Sequence, residues 1–142
     1  MNGLRVAFSK FECYRGEGPY EVDLELANVV SGERAKLKAV IDTGFEGQVM
    51  VDSASYDLLK LRVSEKPEGQ FPTYRTVSGT LLFRSSVARA KLLGRETLMD
   101  VVTPQHGSGK VLLGRKALRE FTTLLHRAER YCIGEANVVE QR

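Results

Sequence analysis

The stretch from Ala35 to Gly44 constrains this chain more than any other. Ala35, Leu37 and Ala39 alternate with Lys36 and Lys38, the period-two pattern of a strand with one face buried. The pattern turns continuously apolar at Val40-Ile41 and stops at Asp42-Thr43-Gly44. A strand that becomes apolar on both faces is entering a core. Ending it on a carboxylate is unusual, because burying a charge is costly.

The rest of the chain reads as mostly strands with two helices. Val22, Leu24 and Leu26 alternate with Glu21, Asp23 and Glu25, which makes Tyr20 to Asn28 a half-buried strand, followed by a turn at Ser31-Gly32-Glu33. Gln48 to Val51 is a short strand. Asp52 or Ser53 then caps a helix running to about Leu61, with Leu58, Leu59 and Leu61 as its apolar members. Thr73 to Phe83 reads as a hairpin with its tip near Val77-Ser78-Gly79. Val87 to Leu93 and Thr97 to Val102 are strands around a Gly94-Arg95 turn. Val111 to Leu113 is a short buried strand stopping at Gly114. Ala117, Leu118, Phe121, Leu124, Leu125 and Ala128 follow helical spacing, which predicts a second, longer helix. Tyr131 to Val139 fits either a terminal strand or a tail, and Arg15 to Pro19 fits a flexible loop.

With 142 residues the chain is one domain, able to bury roughly 68% of its unfolded surface without a disulfide or metal. Its 21 Lys and Arg against 18 Asp and Glu leave a net charge of +3. The cations are dispersed. The mild crowding at Arg115, Lys116, Arg119, Arg127 and Arg130 is broken by Glu120 and Glu129, so it reads as a solvated face and not as a nucleic-acid footprint. Cys13 and Cys132 form no C-x-x-C pair, and the only histidines are His106 and His126, so no zinc-like spacing exists. The default is two reduced, buried or half-buried thiols, with a terminal disulfide as the alternative, and no metal or cofactor is expected. No apolar stretch suits a signal peptide or a membrane span, which points to a cytoplasmic protein with no membrane partner.

Three pieces lie in order: Val40-Ile41-Asp42-Thr43-Gly44, a hairpin about thirty residues later, and Leu112-Leu113-Gly114-Arg115 opening a helix. Asp-Thr-Gly alone is an ordinary turn sequence. In this order and spacing, Tyr20 to Leu125 resembles the retropepsin-like aspartic proteases, the single-lobe relatives of pepsin. The match extends to a prokaryotic subgroup carrying Asp-Thr-Gly-Phe. The resemblance implies a mainly β, single-lobe acid-protease barrel with one longer C-terminal helix. It divides the chain into an N-terminal extension (1–19), the retropepsin-like domain (20–130) and a C-terminal strand or tail (131–142).

The resemblance also assigns roles. Asp42, Thr43 and Gly44 are the catalytic motif: Asp42 is the acid–base carboxylate, the Thr43 hydroxyl steadies the loop against its symmetry mate, and Gly44 permits a tight turn. Tyr74, Thr76, Val77, Ser78 and Gly79 belong to a flap over the substrate, unless they form a plain surface hairpin. Phe45, where the family usually has a small residue, either fills part of the cleft or packs into the core. Glu46, Leu113, Gly114 and Arg115 support the site, with Glu46 and Arg115 as an ion pair.

The implied chemistry needs two carboxylates sharing one proton around a water molecule. The remaining aspartates, at 23, 52, 57 and 100, lie in other settings, so one chain supplies half a site and the implied partner is a second copy. The expected function is a homodimeric aspartic endopeptidase acting on protein or peptide substrates. The alternative is a non-catalytic retropepsin-like domain that binds peptides or assembles with a partner.

Overall fold

The structure, a computed structural model, describes residues 3–15, 20–126 and 130–141. Among the described residues, ten strands form two sheets. β1 (Gly3–Arg15), β9 (Thr122–His126) and β10 (Arg130–Gln141) make a three-stranded antiparallel sheet with β10 in the centre. The other seven are β2 (Glu21–Asn28), β3 (Arg34–Ile41), β4 (Val49–Met50), β5 (Thr73–Thr76), β6 (Gly79–Leu92), β7 (Arg95–Pro104) and β8 (Leu112–Leu113). Their order is β2-β3-β8-β4-β7-β6, and β6 pairs back onto β2, so six strands close a barrel. β5 hangs on β6 outside the ring as one arm of a hairpin.

The alternation read from β2 becomes its burial pattern: Val22, Leu24 and Leu26 are fully buried. They meet Val49, Val51, Leu92, Met99, Val101 and Leu113 in the barrel core, and Ile133 of β10 joins them from the terminal sheet. Each such large apolar side chain contributes about 1.5–3 kcal/mol by leaving water. Asn28, at the end of β2, is buried and fully satisfied. Its Oδ1 accepts from Val30 and Ser31 amides (2.8 and 3.1 Å), and its Nδ2 donates to the carbonyls of Leu59 and Lys60 (2.8 and 2.9 Å). One side chain thus shapes the β2–β3 turn and fastens it to the segment following the first helix.

That helix, α1 (Ser53–Leu58), is capped by Asp52, whose carboxylate accepts from the Ser55 amide at 3.1 Å. It is shorter than the sequence spacing predicts. Lys60 takes a left-handed conformation (φ 53°), and a single-turn 3-10 helix follows at Leu61–Ser64. The inward face is therefore Tyr56, Leu59 and Leu61, while Leu58 is exposed. The turn joining β6 and β7 is Leu93-Gly94, one residue earlier than expected. Both residues have positive φ (54° and 76°), which matches the twist of a two-residue hairpin.

The second helix departs most from expectation. The apolar spacing from Ala117 to Ala128 predicts one long helix, but α2 is only Arg115–Leu118, and Thr122–His126 is strand β9 paired with β10. Two interactions end the helix. Arg95 Nη1 donates to the Glu120 carbonyl at 3.2 Å, and Phe121 packs on the barrel core. Beyond them, β-branched Thr122-Thr123 enters an antiparallel ladder with β10. Ala128, and the Gly16–Pro19 part of the expected loop, lie outside the described residues.

The thiols also differ from expectation. Cys132 is buried and disulfide-bonded, and β1 places Cys13, the only other cysteine, directly opposite it. Among the described residues, no helix is long and apolar enough to cross a membrane.

Candidate active site

β3 runs parallel to β8, and this pairing delivers Asp42 to the barrel's end: its amide donates to the Leu113 carbonyl at 2.9 Å. The chain then turns on Asp42 itself. Its Oδ1 accepts from the Gly44 amide at 2.9 Å, and its carbonyl accepts from the Phe45 amide at 3.2 Å. This is the local side-chain-to-backbone turn that Asp favours. A Cβ on Gly44 would stand 3.1 Å from Oδ1, so a larger residue there would press on the carboxylate. Asp42 is half-buried, while Thr43 and Gly44 are exposed. In a single chain, the motif faces solvent.

The next residues are clasped by the start of α2. The carbonyls of Phe45, Gly47 and Gln48 accept from the amides of Arg115 (2.8 Å), Lys116 (3.2 Å) and Gly114 (2.8 Å). Gly114 makes this approach possible, since a Cβ there would lie 2.2 Å from the Gly47 carbonyl oxygen. Leu113 beside it is fully buried. Arg115 Nη2 and Glu46 Oε1 stand 3.3 Å apart, but both side chains are largely exposed, so the pair contributes about 0–1 kcal/mol.

The hairpin of β5 and β6 stands over this loop. Its turn is Val77-Ser78, held by the Thr76 hydroxyl, which donates to the Gly79 carbonyl (2.9 Å) and accepts from the Ser78 amide (3.1 Å). Gly79 has a φ of 106°, which favours glycine, and Val77 at the tip is fully exposed. Lower down, the Tyr74 ring meets Phe45 edge-on at 5.1 Å and Phe83 at 5.3 Å. Burial, then the nearby charges of Asp100 and Glu46, push the Tyr74 hydroxyl above the usual phenol range, so it stays a proton donor. A cleft of about 190 Å³ lies between loop and hairpin, lined by Gly44, Phe45, Glu46, Tyr74 and Arg75.

Asp42, Gly44, Phe45, Glu46, Tyr74, Leu113, Gly114 and Arg115 thus come together, whereas Val77 to Gly79 form the solvent-exposed tip beside half-buried Thr76. Phe45 is buried with Met50, Phe83 and Val102. Sequence reasoning missed Gly47, whose Cβ would collide with the Phe45 ring (2.6 Å), and Arg75 on the cleft wall. It also missed Gln48, whose Oε1 accepts from the Asp100 amide at 2.6 Å. A glycine two places after a buried aromatic was the available signal for Gly47; Gln48 and Arg75 had none. The other aspartates are placed elsewhere: Asp23 pairs with Lys38, Asp52 caps α1, Asp57 lies on α1, and Asp100 pairs with Lys66 at 2.8 Å.

A closed six-stranded barrel, with an Asp-Thr-Gly loop braced by Leu113-Gly114 under a hairpin, is the architecture of a single acid-protease lobe. The chain is similar in structure to a retropepsin-like aspartic protease from Rickettsia conorii, with a TM-score of 0.64 and 16% identity over 98% of each chain. It is also similar to EIAV protease complexed with the inhibitor HBY-793, with a TM-score of 0.57 and 20% identity over 75% of this chain and 91% of that one. No protein-family model matches the sequence, and no curated protein does. The chain therefore has the single-lobe retropepsin-like fold.

Proposed function

We propose that the protein is an aspartic endopeptidase that hydrolyses peptide bonds as a homodimer, with Asp42 supplied by each subunit across a two-fold axis. One observation carries the reading: a lone Asp42 carboxylate is held at the solvent-facing end of the barrel by Leu113 and Gly44, beneath a hairpin. Two such carboxylates brought within hydrogen-bonding distance share one proton, because both cannot ionise so close together. The ionised member takes a proton from water as the water oxygen attacks the scissile carbonyl carbon. The protonated member gives its proton to the carbonyl oxygen. The carboxyl that took the water's proton gives it to the amide nitrogen, the other carboxylate takes a hydroxyl proton from the tetrahedral intermediate, and the C–N bond breaks to leave an acid and an amine. The substrate lies extended, adding as a strand beside the hairpin.

The test is cleavage of a denatured protein mixture. Activity is expected to be highest in mildly acidic buffer, to rise more steeply than linearly with protein concentration, and to vanish in Asp42→Asn. Full activity in Asp42→Asn, or a strict monomer by sedimentation at high concentration, overturns the reading. A second reading draws on Phe45, whose ring occupies space beside the motif: a retropepsin-like domain that binds peptides or assembles without hydrolysis. Peptide binding by the wild-type chain with no turnover selects it.

A further inference from the structure

Phe45 stands at an unusual junction. Its backbone belongs to the loop that carries Asp42, while its ring is 6% exposed and packs with Met50, Phe83 and Val102. The same ring meets Tyr74 of the hairpin edge-on at 5.1 Å and lies where side chains on Gly47 and Gly114 would have to go (2.6 Å from each Cβ position). Both glycines are thus shaped around this ring. Elsewhere the hairpin is solvent-exposed from Val77 to Thr80, so its apolar hold on the loop is at Tyr74 and Phe83. Phe45 also lines the cleft of about 190 Å³ between Gly44 and Tyr74. A void of about 150 Å³ accommodates benzene, so this cleft takes one side chain up to the size of a single ring.

We propose that Phe45 determines specificity in this half-site, acting as a latch that sets the height of the hairpin over the Asp42 loop and as the wall that limits the adjoining cleft to one side chain of single-ring size. The substrate assignment rests on the peptide-binding surface of the proposed function; the latch does not. Removing the ring takes away one of the two ring contacts of Tyr74, leaving Phe83, and joins the vacated volume to the cleft, because surrounding structure collapses only partly around a deleted side chain. The hairpin then moves more, and larger side chains enter.

Two measurements test this. Hydrogen exchange of the Thr73–Phe83 amides is compared in wild type, Phe45→Leu and Tyr74→Ala, with β2 amides as the folding control. Both variants are expected to exchange at least about ten-fold faster in the hairpin, with β2 unchanged. Peptides differing at one position (Leu, Phe or Trp) are then titrated into Asp42→Asn protein, where binding is read without cleavage. The Leu and Phe peptides should bind better than the Trp peptide, and adding Phe45→Leu should improve Trp relative to Leu by about ten-fold, or 1.4 kcal/mol. Unchanged hairpin exchange in both variants overturns the latch. Absence of peptide binding, or an unchanged Trp-to-Leu ratio, overturns the wall. Binding with this pattern in a wild-type chain that never cleaves retains the inference and rejects only the protease reading.

Discussion

Gly114 has an ordinary backbone conformation (φ −94°), so its identity is set by distance and not by torsion. A Cβ there would press on the Gly47 carbonyl oxygen at 2.2 Å and the Phe45 carbonyl oxygen at 2.7 Å, and both are backbone atoms with no rotamer to yield. Gly114→Ala is therefore expected to cost about 1–3 kcal/mol, as overpacking does, and to loosen the three bonds that clasp the Asp42 loop. A denaturant midpoint measures the first effect, and amide exchange at Arg115 and Lys116 the second. Wild-type values for both would show that the loop has slack the distances deny. Tyr56 shows a different constraint at this scale. Its hydroxyl donates to Glu65 at 2.8 Å, Arg84 lies over its ring at 4.6 Å, and burial, followed by Glu65, holds its proton well above the ordinary phenol range. No sequence pattern announces this, because three polar groups from separate segments satisfy one another only once the barrel has closed.

At the scale of elements, most strands were legible and one helix was not. Alternation is a local property, so β2 and β3 appear in the sequence as they appear in the fold, and the Val40-Ile41 run marks where β3 meets β8. The apolar spacing from Ala117 onward fits a helix equally well, yet the backbone after Phe121 pairs with β10. Intrinsic helix preference amounts to fractions of a kcal/mol per residue, and a waiting ladder outweighs it. Asn28 shows an element joint that can be tested. Asn28→Ala leaves two amides and two carbonyls without their present partner, and loss of about 2–3 kcal/mol is expected in urea unfolding. Asn28→Asp keeps the two accepted bonds but sets a buried carboxylate oxygen against the Leu59 and Lys60 carbonyls, so a loss at least as large as that of Asn28→Ala is expected, easing as acid protonates the carboxylate.

For the whole molecule, the terminal sheet decides how the chain is closed. β1 and β10 pair along nearly their full length, and the disulfide of Cys132 lies within that pairing, opposite Cys13. A cross-link across a loop of this scale contributes about 2–4 kcal/mol, chiefly by restricting the unfolded chain in the entropic account. Reductant is expected to lower the unfolding midpoint of the wild type accordingly, and Cys132→Ser to lower it equally while abolishing the response to reductant. An unchanged midpoint on reduction would rule out that contribution. The sequence by itself determined the half-buried strands, the strand that ends on Asp42, and the presence of only one Asp-Thr-Gly in 142 residues, because each depends on neighbouring residues alone. Only the tertiary structure decided that Phe45 faces the core and touches the hairpin, that the last helix stops at Leu118, and that the two cysteines stand opposite each other. These depend on partners distant in the chain, whose register is set when the barrel closes and not by any local preference.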